Sequence, residues 1–194
     1  GRPAQALCAM ELRLPQALSF PGFSEFNAGY QARLAERNLL LGEHNPVART
    51  NVAPAVQPPP VPALYAFCYT VPANGTIPPT FVVAGAGDLR DQADLSPAAV
   101  VRPGETSPHA LLDKAHAVMR VMQERLDGLT MTWGRVTRIN IYTTQPIQPV
   151  LATVIHPQVG LAARHGVHWF YSHPPIADLA FEMDLRGVRQ DMCI

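Results

Sequence analysis

Between Phe181 and Arg186 the chain reads FEMDLR, apolar and charged residues in strict alternation. Successive side chains of a strand point to opposite faces. Such a run is therefore expected to be a strand with Phe181, Met183 and Leu185 on one face and Glu182, Asp184 and Arg186 on the other. The apolar face needs a covering layer, which the rest of the chain must supply as helices. The charged face admits three readings: a solvated sheet face, a ladder that fixes subunit packing, or a set of groups that do chemistry.

The covering layer is legible upstream. Ser107-Pro108 opens a helix with serine as N-cap and proline at the first helical position. Leu111, Leu112, Ala115, Val118, Met119, Met122 and Leu126 recur at helical spacing as its core stripe, and Asp127-Gly128 closes it. Ahead of it, LYAFCYTV and TFVVAGAG read as strands separated by PANGTIPP, in which Asn74-Gly75 is a turn signal. AAVV reads as a further short strand. GRVTRINIYTT is another strand, with Thr137, Ile139 and Ile141 on one face and Arg138 and Asn140 on the other. A second, short helix is expected between Val150 and Arg164, interrupted near Pro157, and GVHWFYS precedes the final strand. The order β-β-β-α-β-α-β-β predicts an α+β fold, one sheet with two helices packed on one face.

Residues 1–60 read as an N-terminal arm and residues 61–194 as the domain. In the arm, Ser24 caps a helix running through Phe26, Tyr30, Leu34 and Leu41, which Gly42 stops. The proline-rich stretch from Asn45 to Ala63 is expected to be extended, closer to polyproline than to sheet. It is either a free linker or an arm laid across a neighbouring subunit.

Composition excludes several function classes. Charged residues make up 15% of the 194, with no net charge, so no basic excess exists to neutralise nucleic-acid phosphates. No apolar run is long enough to span a membrane and no leader is recognisable, so a cytoplasmic protein is expected. Cys8, Cys68 and Cys193 are odd in number and lack metal-type spacing, which argues against a disulfide scaffold. Lys114 is the sole lysine and falls two positions after core residue Leu112, so it is expected to point to solvent, leaving a Schiff-base mechanism without a nucleophile. His165, His168 and His173 crowd together without a zinc signature, and no metal or cofactor is expected. In strand alternation His168 falls with Phe170 and Ser172, opposite Val167, Trp169 and Tyr171. It is either an acid–base group or a hydrogen-bonded core residue, and the aromatics, Trp169 among them, suit stacking on a ring-containing ligand.

From Pro62 to Arg189 the landmarks VVAGAG, RLDGLTMTWGRVTRINIY and PPIADLAFEMD resemble, in order and spacing, the RidA (YjgF-type) family of imine and enamine deaminases. The resemblance implies a homotrimer with a central barrel, pockets between subunits, and no cofactor. It places Glu182 on the family's functional glutamate, which holds or activates the attacking water. It matches Tyr65 to the family's first-strand tyrosine and Gly85 to its tight strand exit. Two departures stand out. Ala84 occupies the family's serine position, and the carboxylate-clamping arginine, nine residues before the proline, is replaced by His165 or Gly166. Arg164 lies one or two positions away. The resemblance implies a catalytic role for Glu182 and substrate binding by Tyr65 and Gly85, with Arg164 as the candidate for the displaced arginine. The residues themselves add His168 as a catalytic group and Trp169 as a substrate-stacking one, and the displaced arginine implies a substrate other than a simple 2-imino acid. Similar folds also carry lyases, other hydrolases and cyclases. A non-catalytic metabolite-binding trimer is the alternative of another class.

Overall fold

A computed structural model describes residues 1–73, 75 and 77–192. Asn74 of the expected turn and the thiol of Cys193 lie outside the described residues. The elements, in chain order, are β1 (Leu7–Arg13), α1 (Phe20–Glu36), β2 (Ala48–Pro54), β3 (Ala63–Tyr69), β4 (Phe81–Gly87), α2 (Pro108–Gly128) and β5 (Arg138–Tyr142). A broken helical run follows, comprising α3 (Gln148–Val150), a π turn (Leu151–Ile155), α4 (His156–Val159) and a 3-10 segment (Gly160–His165). β6 (His168–Phe170), β7 (Ser172–His173) and β8 (Glu182–Gly187) complete the fold.

The fold is mixed α+β, but with two four-stranded sheets in place of the single expected sheet. Their orders are β3-β1-β2-β7 and β4-β8-β5-β6. Among the described residues neither closes into a barrel within the chain. β3 and β4 do not form a hairpin across the PANGTIPP turn; they belong to different sheets. At the other end, β6 and β7 are separated only by Tyr171, so the chain passes directly from one sheet to the other.

The N-terminal sixty residues depart most from expectation. Ala48–Pro54, read as closer to polyproline, is a strand paired in parallel with β1, Ala9 opposite Ala48 through Arg13 opposite Val52. Parallel neighbours require a crossover connection, and α1 is that crossover. The cap of α1 is Ser19, whose Oγ accepts from Gly22 N–H at 3.2 Å, with Pro21 in the first turn. Ser24, the expected cap, lies one turn inside and donates its hydroxyl to the Phe20 carbonyl. The helix stops at Glu36, before Leu41 and Gly42.

α2 forms as its sequence predicts, from a Ser107 cap accepting the Ala110 N–H to Gly128. Its stripe packs on Phe181, Met183 and Leu185 of β8 and on Ile139 and Ile141 of β5, all essentially excluded from water. Val150, Val154, Ile155 and Val159 of the broken helical run complete this core. Gly160, at φ +53°, interrupts the run between α4 and the 3-10 segment, three positions beyond the expected interruption at Pro157. The AAVV segment is not a strand: Pro97–Ala99 is a 3-10 turn, and only Val100 makes a bridge, to Leu89.

Lys114 is buried, at 1% exposure, contrary to the expected solvent position. Its Nζ donates to Asp88 Oδ2 at 2.7 Å and to the Val101 carbonyl at 2.6 Å. Asp88 Oδ1 in turn accepts the backbone N–H groups of Ala180 and Phe181 at 3.0 and 3.1 Å. One ion pair thus ties the exit of β4 and the loop before β8 to α2. Among the described residues no helix is long and apolar enough to cross a membrane.

Candidate active site

The charged face of β8 is turned away from α2, as the alternation requires, yet it is buried: Glu182, Asp184 and Arg186 are 3%, 1% and 5% exposed. The chain's own first sheet covers it. Arg186 pairs with Glu11 of β1 and lies 3.4 Å from Asp184. Asp184 also accepts from Asn140 Nδ2 at 2.9 Å and Tyr142 Oη at 2.8 Å. Arg13 of β1 pairs with Glu11 at 3.3 Å and stacks over the Tyr65 ring at 3.7 Å. This is a charged layer between two sheets, and in it Asp184 and Arg186 are bound to neighbours.

Glu182 is not. Among the described residues it makes no ion pair with a neighbour, and it lies at the wall of a cavity of about 670 Å³ bounded by α1, β2, β4 and the end of α2. Burial, and then the neighbouring Asp184 charge, push its carboxyl well above the usual carboxylate range; Arg125 and Arg49 oppose that shift. Burial and the like charge favour the protonated form, so the carboxyl is suited to lend a proton as well as to accept one.

Gly85 makes room for this carboxyl. A Cβ at that position would overlap Glu182 Oε1 and stand 3.0 Å from Thr50 Cγ2. The requirement is for close approach; Gly85 is not among the residues with positive φ. The pairing of β4 with β8 is also irregular between Val83 and Ala86, which flank this position.

Two guanidiniums enter the cavity. Arg125, in the last turn of α2, donates from Nη1 to the carbonyls of Ala84 at 2.7 Å and Gly85 at 3.2 Å. Arg49, on β2, donates from Nη2 to Asn27 Oδ1 and lies over the Tyr30 ring at 4.1 Å. Burial lowers the pKa of both, and the Glu182 charge counteracts it. Arg49 Nη1 and Asn51 Oδ1 are buried without a hydrogen-bond partner, Tyr30 Oη is buried beside Asn45, and all three residues line the cavity. Buried polar groups are normally paired, so an unpartnered set around one space marks a place where a polar ligand fits.

Of the residues singled out from sequence, the fold brings Glu182 and Gly85 together in this cavity. The other four lie outside it. Tyr65 is half-exposed on β3, at the edge of the first sheet, edge-on to Phe170. His168 is exposed on β6, with its pKa lowered by partial burial and by Arg138. Trp169 donates from Nε1 to the Thr143 carbonyl at 2.9 Å and remains 43% exposed. Arg164 is exposed in the 3-10 segment, with Nε 3.2 Å from His165 Nε2. Among the described residues no three His, Cys, Asp or Glu side chains converge as a metal site.

Sequence reasoning missed Arg49, Asn51, Tyr30 and Arg125. A signal existed for Arg125: it lies three positions after Met122 and four after Val121, on the buried side of α2. Arg49 and Asn51 carried none, because their segment was read as an arm.

Two comparisons agree with a deaminase cavity. The model of a family described as 2-aminomuconate deaminase CnbZ matches residues 1–192. A 2-amino-5-chloromuconate deaminase from Comamonas testosteroni is 36% identical over 188 residues, 96% of this chain and 74% of that protein. The match takes in the N-terminal segment that supplies Tyr30, Arg49 and Asn51, so these cavity residues lie within the family region. The chain is an enzyme of deaminase type and belongs to the 2-aminomuconate deaminase (CnbZ) family.

Proposed function

We propose that the chain hydrolyses a small dicarboxylate enamine of the 2-aminomuconate kind, releasing ammonia and leaving a 2-oxo acid. The observation that carries this reading is Glu182, a buried carboxyl of raised pKa at the wall of a cavity flanked by Arg49 and Arg125. A 2-aminomuconate presents a carboxylate at each end of a planar diene, with the amino group beside one of them. Guanidinium groups suit such carboxylates.

The chemistry follows from one group that changes protonation state. Protonated Glu182 delivers its proton to the enamine carbon, which converts the enamine to an iminium ion. The carboxylate so formed, favoured by the two nearby arginines, takes a proton from water as the water oxygen bonds to C2. Glu182 returns that proton to nitrogen, and as the C–N bond breaks it takes the hydroxyl proton of the carbinolamine, so that ammonia leaves, the ketone forms and Glu182 ends protonated as it began. One residue acting first as acid and then as base is the service a raised carboxyl pKa provides near neutral pH.

A RidA-like ancestry is part of the proposal. Its support is the succession of β4, α2, β5, the broken helical run and β8, with the glutamate of β8 on the side away from α2. A homotrimer is likewise proposed. In its support, Leu64, Tyr65, Phe67 and Tyr69 of edge strand β3 are about half-exposed, an apolar strip that a second copy would cover.

The test is ammonia release from 2-aminomuconate by the purified chain. Glu182→Gln is expected to lower kcat by at least about 100-fold, the usual contribution of a positioned acid–base group, with its melting transition retained. A folded variant within threefold of wild type would remove Glu182 from the mechanism.

A further inference from the structure

We infer that Tyr30, Arg49 and Asn51 form a subsite for the amino-carboxylate end of the substrate, and that this subsite distinguishes substrate from product. The choice of ligand rests on the deaminase reading; the subsite itself rests on hydrogen-bonding chemistry. Arg49 Nη1 and Tyr30 Oη can donate, whereas Asn51 Oδ1 can only accept. Arg49 Nη1 and Asn51 Oδ1 are buried without partners, Tyr30 Oη is buried beside Asn45, and Asn51 is only 3% exposed.

Arg49 and Asn51 are two residues apart on β2, so they share a strand face at a separation of about 6.6–6.8 Å. β1 fixes their register, with Met10 opposite Arg49 and Leu12 opposite Asn51. Asn27 and the Tyr30 ring hold the guanidinium in place, and Nη1 is left without a partner. A complementary ligand presents acceptor oxygens beside an N–H donor. A 2-amino carboxylate with a planar C2 does so: its carboxylate takes the hydrogens of Arg49 and Tyr30, and its N–H meets Asn51 Oδ1.

A consequence follows for turnover. Hydrolysis replaces the N–H at C2 by a carbonyl oxygen, which brings an acceptor against the acceptor Asn51 Oδ1. The subsite therefore holds the enamine more tightly than the 2-oxo product and favours product release. Asn51 acts here as a specificity-determining residue.

Pyrrole-2-carboxylate and furan-2-carboxylate separate these terms. They match in shape and carboxylate, and differ in having an N–H or a ring oxygen at the critical position. In calorimetric titrations of the full chain, the pyrrole acid is expected to bind up to about tenfold more tightly, the worth of one well-made hydrogen bond. Asn51→Ala should bring the two affinities together. Arg49→Gln should weaken both by about tenfold or more, since it removes a charged hydrogen bond, and should leave their ratio unchanged. Should Asn51→Ala fail to fold, the wild-type ratio and Arg49→Gln decide the matter.

Equal affinity of the two probes for wild type, a preference for the furan acid, unaltered binding by Arg49→Gln, or no binding of either at millimolar concentration would each overturn the inference. Neither probe can be deaminated. Ammonia release without probe discrimination therefore removes the subsite and leaves the deaminase, whereas discrimination without ammonia release does the reverse.

Discussion

Replacing Lys114 by methionine removes one half of a buried ion pair while keeping most of the side chain's volume. The ammonium and its partner Asp88 are 1% and 0% exposed and 2.7 Å apart. Removing one member of such a pair costs about 3–5 kcal/mol, because the other charge remains buried without compensation. Here Asp88 keeps two backbone donors, Ala180 and Phe181, at 3.0 and 3.1 Å. That retained solvation places the expected loss near the lower end, about 3 kcal/mol. In a chain of 194 residues, a loss of that size lowers Tm by roughly 6–12 °C, taking about 2–4 °C per kcal/mol. Urea unfolding measures it directly, provided the slope of free energy against denaturant is unchanged. Adding Asp88→Asn should recover part of the loss, with a coupling of about 2 kcal/mol between the two sites. A Lys114→Met protein within about 0.5 kcal/mol of wild type, the range of ordinary surface substitutions, would show that the lysine is hydrated and the pair does not tie β4 to α2.

Two further outcomes concern the cavity wall. Gly85→Ala puts a methyl where the Glu182 carboxyl lies, so kcat for ammonia release should fall by about 100-fold, the effect of displacing a reacting group by about 1 Å. Affinity for pyrrole-2-carboxylate should persist, and unchanged kcat would show that the carboxyl has another position to work from. The second outcome is a pH dependence of stability. A raised folded-state pKa for Glu182 means that the folded chain binds the proton more tightly than the unfolded chain. That stabilisation is complete below the unfolded value, about pH 4.3, and is lost as pH rises through the folded value. Glu182→Gln should therefore be more stable than wild type at neutral and alkaline pH, with the gap closing toward pH 4; denaturation across that range with a constant gap would refute the shift.

Local pattern determined a good part of this protein. The FEMDLR alternation set which residues of β8 face α2, and the Ser107-Pro108 cap and apolar stripe set the bounds of α2, because both depend only on backbone periodicity and nearby hydrogen bonds. The facing of Glu182 was legible for the same reason, since a strand with one buried face leaves its register no freedom; its choice over Asp184 and Arg186 came from the RidA resemblance. What lies opposite a face is a different matter. Arg49-Thr50-Asn51-Val52 has no strand signal strong enough to stand against its proline-rich surroundings, and it becomes β2 only because β1 offers a parallel partner and α1 the crossover. Lys114 is buried because Asp88, 26 residues away in sequence, meets it. The sequence alone determined that a carboxyl would stand on the far side of β8. Only the tertiary structure enclosed it, by folding the first sixty residues over that face, and burial is what raises its pKa and leaves Arg49 and Asn51 of the same cavity lining with unpaired atoms.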